Sequence, residues 1–225
     1  MDIETAIRSR KSIRGFKPDK VPRAILEEIL GLACRAPSTM NTQPWEFCVI
    51  TGDVLKKIAN ENVRSLRAGA MIHPEHIITG WPNQSVYRKR QVEVAMRIFR
   101  LMGIPREDKD KRVAWMERGF RFFDAPCAVI ILTDNALTEA GPLMDIGALM
   151  QTICLAALDH GLGTCIEDQG VMYPENIRSV VKIPETKRII ISLAIGYPDL
   201  DFPANRVVSP REDVNTITTW CGFTR

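Results

Sequence analysis

The chain is most informative at first for what it lacks. Its six cysteines, Cys34, Cys48, Cys127, Cys154, Cys165 and Cys221, form no Cys-x-x-Cys pair. Several sit in apolar runs, and together they read as buried thiols in a reducing compartment. No run approaches the roughly eighteen apolar residues of a membrane span. The opening MDIETAIRSRKSIR has no apolar segment of the secretory kind. A cytoplasmic protein without membrane attachment is expected. Of the three histidines, His73 and His76 form a His-Pro-Glu-His motif that lacks a third ligand at recognised spacing. Pro74 also argues against a helical pairing, so no metal is expected. His160 falls near an expected helix end, where imidazole interacts with the last carbonyls. The G-x-G-x-x-G fingerprint, the P-loop and the G-x-S-x-G elbow are all absent, so nothing supports those nucleotide sites or a serine triad. The net charge of +3 gives no argument for nucleic acid. Internal repeats, low-complexity tracts and Gly/Ser linkers are missing too, and one domain over 1–225 is expected.

What is present is ordinary for a soluble globular protein: 45% hydrophobic and 25% charged residues. Asp2 is placed to cap a helix running to about residue 10. Pro22 opens a second, with Ile25, Ile29, Leu32 and Ala33 at helical spacing and a stop before Pro37. A short strand is expected over 45–51 and a helix over 54–59. Residues 60–83 read as a loop or cover, and 85–102 as a helix that is basic at Arg88, Lys89 and Arg90 and ends at Gly103. Apolar runs predict strands at 127–133 and 188–195, the latter apolar on both faces. Between them, 145–160 is the strongest helix, with Ile146, Leu149, Met150, Ile153, Cys154 and Ala157 on one face. Gly161 and Gly163 stop it. Beyond Pro198 come strand-like pieces such as 216–219 with no core of their own, so a partner subunit is one candidate for what they pack on. Helices alternating loosely with few strands leave α/β and α+β both open.

Three polar constellations can carry chemistry. Arg10-Lys11-Ser12-Ile13-Arg14 crowds three cations and a hydroxyl where a helix ends, a pattern suited to phosphate or to a flavin carbonyl. Its plain reading is a solvated basic turn. Ala36 to Trp45, APSTMNTQPW, offers many hydrogen-bonding groups on a loop stiffened by two prolines. That suits a polyhydroxylated ligand, or simply a connection anchored by Trp45. Gly161 to Asp168, GLGTCIED, lets backbone N–H groups approach a flat ligand, or merely ends a helix before an edge strand.

In this order, with RFFDAPCAVII, DIGALMQTICLAALDHGLGTC, ISLAIGYPD and FPANRVVSPRE following RSRKSIRGF and APSTMNTQPWEF, the chain resembles the nitroreductase family of flavoenzymes from Ile7 to about Gly222. The resemblance implies an α+β fold: a central, mostly antiparallel sheet flanked by helices, in an intertwined homodimer. A C-terminal extension, about 199–225, would wrap the partner. It further implies FMN at the interface, with NADPH or NADH as electron donor. Arg10, Lys11 and Ser12 would hold the phosphate and ribityl oxygens, and Arg14 the pyrimidine edge. Pro37, Ser38, Thr39 and Asn41 would come from the other subunit. Ile166, Glu167 and Asp168 would lie beside the ring, with a backbone N–H of Glu167 or Asp168 reaching N5. Some relatives carry glycine where Asp168 stands, and an extra carboxylate there would either disfavour anionic substrates or simply point away. Arg211, with Arg206 as a second candidate, would close on the phosphate.

The implied activity is NAD(P)H-dependent, ping-pong reduction of small aromatic acceptors such as nitroarenes or quinones. No side chain acts as catalyst, because the flavin carries the hydride. Residues 60–118 would shape the substrate pocket, with Trp81, Tyr87 and Trp115 as stacking candidates or core residues. Rival readings keep the fold: reductive dehalogenation, for which Glu61 and Tyr87 are available without the expected spacing, reduction of an activated double bond, or flavin binding without turnover.

Overall fold

A computed structural model describes residues 1–76 and 80–223. Helix α1, Ile3–Ser9, starts where expected because the Asp2 carboxylate accepts the Thr5 N–H at 2.9 Å. Helix α2, Arg23–Ala33, buries Leu26, Ile29 and Ala33. Leu32, expected on that face, is 50% exposed. Strand β1, Glu46–Thr51, leads directly into α3, Gly52–Arg67. This helix is far longer than the expected 54–59, and its second half replaces part of the loop read from residue 60. The apolar stripe is interrupted by Asn62, which is nonetheless fully buried. The Asn62 amide donates to the carbonyls of Phe120 at 3.1 Å and Gly170 at 2.9 Å, and its oxygen accepts from Asn176 at 3.1 Å. Residues 70–76 and 80–82 have no helix or strand, as expected for that stretch.

Helix α4, Val86–Leu101, is capped by Ser85. Helix α5, Lys109–Phe120, has no counterpart in the sequence reading. It is capped by Asp108 and buries Glu117, which is gripped by both arms of Arg67 at 2.6 and 2.9 Å. Strand β2, Cys127–Asp134, is followed by α6, Leu143–Asp159, then β3, Gly163–Glu167, α7, Pro174–Val180, and β4, Lys187–Gly196.

The strands form one sheet in the order β1-β2-β4-β3, and every neighbouring pair is antiparallel. The class is therefore α+β. Helices α2 and α6 cover one face, where Ile146, Leu149 and Ile153 meet Val129, Ile131 and Leu193. On the other face Ile58 of α3 and Ile177 of α7 pack with Ala128, Ile130 and Ile189. β2 and most of β4 are buried on both faces, as two covered sheet surfaces require. Each fully buried Ile or Leu contributes roughly 1.5–3 kcal/mol. No helix among the described residues is long and apolar enough to cross a membrane.

Two further expectations fail. Residues 216–219 form no strand; a short 3-10 turn, Val214–Thr216, stands there with irregular backbone after it, and among the described residues no strand pairs with it. The cysteines are not uniformly buried: Cys127, Cys154 and Cys165 are, Cys48 is half-buried, and Cys34 and Cys221 are exposed. Cys34 follows the last turn of α2 and Cys221 lies in the tail, both outside the two packed faces.

Candidate functional site

The three constellations have distinct places on this sheet. After α1 the chain runs extended along the outer edge of β3. Ser12 pairs with Thr164 in a parallel bridge, and the Ile13 N–H donates to the Thr164 carbonyl at 2.9 Å. Further on, the Lys17 N–H donates to the Tyr197 carbonyl at 2.9 Å. Alternate residues of an extended chain face opposite ways, and Ile13 and Gly15 are buried while Ser12 and Arg14 stay half-exposed. Gly15 is required here, since a Cβ would stand 2.1 Å from the Phe202 ring. Among the described residues, the half-buried side chains of Arg10 and Lys11 have no carboxylate partner. The Arg14 guanidinium lies 6.0 Å from the Phe123 ring centre.

β3 is buried along most of its length, with one exposed position. Thr164 and Cys165 are buried, Ile166 is 36% exposed and Glu167 is buried. The structure thus brings Arg10, Lys11, Ser12 and Arg14 alongside β3, the strand that carries Ile166 and ends at Glu167 and Asp168. The Glu167 side chain, however, turns into the core. Its carboxyl accepts from the Ser192 hydroxyl and from the Gly170 N–H at 2.8 Å. Burial pushes it up to about 8, well above the usual carboxylate range. Glu167 can therefore reach a ligand at this edge only through its backbone. Asp168 opens a largely apolar cavity of about 420 Å³, with His73, His76, Met172 and Ile190 in its wall.

The loop 37–41 lies elsewhere. Pro37, Thr39 and Asn41 are exposed and Ser38 is half-buried. Met40 and Asn41 adopt left-handed backbone, φ 52° and 59°, and the Met40 side chain is 93% exposed. Ser38 Oγ accepts the Gln43 N–H at 3.0 Å. The Thr39 N–H and hydroxyl donate to Asp145, in the first turn of α6, at 3.2 and 3.4 Å. This loop feeds β1, the sheet edge opposite β3. Three inter-strand spacings, roughly 14 Å, separate the two edges, so one chain does not bring loop 37–41 to Arg10–Arg14.

The sequence profile of the Nitroreductase family matches residues 7–197. The chain belongs to the nitroreductase family. It is 32% identical over 219 residues to the nitrobenzene nitroreductase of Ectopseudomonas oleovorans, covering 97% of this chain and 96% of the relative. Two solved structures have nearly the same fold. One is the FMN and NADPH-dependent nitroreductase NfnB from Sphingopyxis sp. strain HMH, with TM-score 0.93, 28% identity, and 99% of this chain and 100% of that one covered. The other is the FMN-dependent nitroreductase NfnB from Mycobacterium smegmatis in complex with NADPH, with TM-score 0.89, 27% identity, and 99% and 97% covered.

Within this nitroreductase fold the remaining candidates sort by burial. Trp115 packs on Phe123 with ring centres 6.2 Å apart and belongs to the core. Trp81 and Tyr87 stack at 5.2 Å and are each 52% exposed. Glu61 pairs with Arg64 on its own helix. Arg206 is exposed at the end of the turn Pro203–Arg206. Arg211 is exposed and folds back, donating to the Ser209 carbonyl at 3.0 Å and its hydroxyl at 2.8 Å, beside Arg90 and Arg97 of α4.

The sequence reading passed over Asn205, whose amide is buried against the Arg14–Gly15 backbone, and Arg118, which donates to the Arg14 carbonyl at 3.1 Å. The only signal for Asn205 was its place in FPANRVVSPRE. Arg118 lies in α5, which carried no signal at all. Among the described residues no group of three potential metal ligands occurs.

Proposed function

We propose that the protein is an FMN-dependent oxidoreductase that draws electrons from NADPH or NADH and reduces small aromatic acceptors such as nitroarenes or quinones. It works as a cytoplasmic homodimer with FMN between the subunits. The observation that carries this reading is the cationic arm 10–14 laid along β3, with Arg10 and Lys11 half-buried and unpaired by any described carboxylate. Holding such cations partly out of water without a counter-charge is costly, and a phosphate dianion supplies it. The donor set therefore fits FMN.

When bound, FMN supplies the centre that accepts hydride from the nicotinamide and passes it to the acceptor. The chain's own groups bind and tune. Arg10, Lys11 and Ser12 hold the phosphate and ribityl oxygens, and Arg211 closes on the phosphate from the tail. Arg14 stands at the pyrimidine edge, where its fixed positive charge favours the negative charge that reduction places there. Ile166 offers an apolar surface, and a backbone N–H of Glu167 or Asp168 would serve as donor toward N5. Donor and acceptor occupy the open face by turns, which is ping-pong order.

The roughly 14 Å between the two sheet edges supports a shared site, in which Pro37, Ser38, Thr39 and Asn41 serve the arm of a second chain. The exposed tail residues Ile217, Trp220 and Phe223 supply apolar surface for that association. Nitroarenes are chosen as acceptors because the relative from Ectopseudomonas oleovorans is a nitrobenzene nitroreductase.

The test is a visible absorption spectrum of the purified protein, followed by anaerobic addition of NADPH or NADH. Flavin bands bleached by either nucleotide are expected. A protein that stays colourless after incubation with FMN would overturn the reading.

A further inference from the structure

Every backbone polar group of Arg14 and Gly15 is held by a side chain or by neighbouring backbone, and Asn205 does most of the holding. Its Oδ1 accepts the Arg14 N–H at 2.7 Å and the Gly15 N–H at 3.2 Å. Its Nδ2 donates to the Gly15 carbonyl at 2.7 Å and the Asp199 carbonyl at 2.8 Å. The amide thus uses both donors and both lone pairs while only 3% exposed. From the other side Arg118 Nη2 donates to the Arg14 carbonyl at 3.1 Å, and Asp124 holds the same guanidinium at 2.7 Å. The Phe202 ring fills the space where a side chain at position 15 would stand and lies 4.7 Å beneath the Arg118 guanidinium.

This is more fixation than an extended edge segment needs. Ile13 and Lys17 already tie the arm to its neighbours by backbone bonds. What Asn205 adds is a fixed peptide orientation at the residue whose side chain leaves for the open face. An unsatisfied Arg14 N–H in this buried spot would have to turn toward another acceptor and would carry the guanidinium with it.

We infer that Asn205 is a positioning residue for the cofactor site, holding the Arg14–Gly15 peptide so that the Arg14 guanidinium meets the pyrimidine edge of bound FMN. The inference rests on the FMN reading above. It also gives the turn Pro203–Arg206 a task in the site that involves no contact with the ligand.

The experiment is a double-mutant cycle on FMN affinity, read by flavin fluorescence with the apo full-length chain, and on the midpoint potential of the bound flavin. The four proteins are unmodified, Asn205→Leu, Arg14→Met and Asn205→Leu/Arg14→Met. At metal sites, removing an outer partner that orients a binding group typically costs tenfold or more in affinity, and a loss of that order sets the scale for this site. Asn205→Leu is therefore expected to weaken FMN about tenfold and to lower the midpoint potential, as Arg14→Met does. In the Arg14→Met background it should change neither by more than about twofold, because coupled residues share one effect.

Equal losses in both backgrounds would overturn the inference and leave Asn205 a structural residue. Failure of the unmodified chain to bind FMN would instead overturn the FMN reading, and this inference with it. If Asn205→Leu does not fold, Asn205→Ser, which leaves a hydroxyl and less crowding, enters the same cycle with the same outcomes.

Discussion

The sheet and the tail beyond residue 207 use the same kinds of apolar side chain to opposite effect. In the sheet region Ile130, Leu149, Ile153 and Leu193 are sealed from water, with helices over both faces. In the tail Val208, Val214, Ile217, Trp220 and Phe223 are all more than half exposed, and Trp220 and Phe223 make an edge contact with each other at 5.5 Å. Met40 on its loop and Met144 at the start of α6 are as bare, at 93% and 85%. Both faces of the sheet are covered within one chain. The tail sets several large apolar side chains among polar ones and leaves them in water, and a second copy of the chain is the surface we propose for them.

The comparison breaks hardest at the tail. Deleting everything after Pro210 is expected to abolish both dimer and FMN retention while leaving the far-ultraviolet circular dichroism of the sheet region intact. Sedimentation of the truncated chain as a yellow dimer would show the tail to be dispensable. Next in size is the cost carried inside the sheet itself. Glu167 has its proton held up to about 8, against an ordinary value of 4.5, by burial. As pH rises from 4.5 to about 8, the unfolded chain gives up that proton and the folded chain keeps it, so stability falls across this window. Glu117, Asp134 and Asp159, held below their usual range, have already made their contributions there. Glu167→Gln should flatten the slope, read as urea midpoints over a pH series. An unmodified chain whose midpoint does not fall across the window would contradict the assignment.

A third measurement sets the two regions side by side. Ile153→Ala should cost about 2–5 kcal/mol of folding stability through the cavity it leaves. Ile217→Ala should leave that stability almost unchanged and weaken dimerisation instead. Smallest is Arg10→Ala, expected to weaken FMN binding by about 1.5–3 kcal/mol, the worth of a charge-assisted hydrogen bond. Unchanged flavin occupancy would remove Arg10 from the site.

Legibility in the sequence followed chemistry. β2 and β4 were readable because strands buried on both faces are nearly continuous apolar runs. The second half of α3 and all of α5 were not. The first buries Asn62 and the second buries Glu117 under Arg67, so polar letters occupy interior positions whose partners are distant in sequence. Leu32 failed in the other direction, an apolar letter at helical spacing left in water. At the candidate site the cation cluster was visible as a cluster. The inward turn of Glu167 was hidden, because it puts a carboxyl in the core and leaves apolar Ile166 outside. The distance between loop 37–41 and the arm followed from strand order, which no local pattern encodes.

That strand order has a genetic consequence. With β1 and β3 at opposite edges of the sheet, a dimer that pairs the arm of one chain with the loop of the other builds each site from two copies of the gene product. A chain defective only in its arm and a chain defective only in its loop, refolded together, would then assemble mixed dimers in which one site receives both faults and the other receives none. Two inactive alleles would complement each other, with recovered activity bounded by half the fraction of mixed dimers.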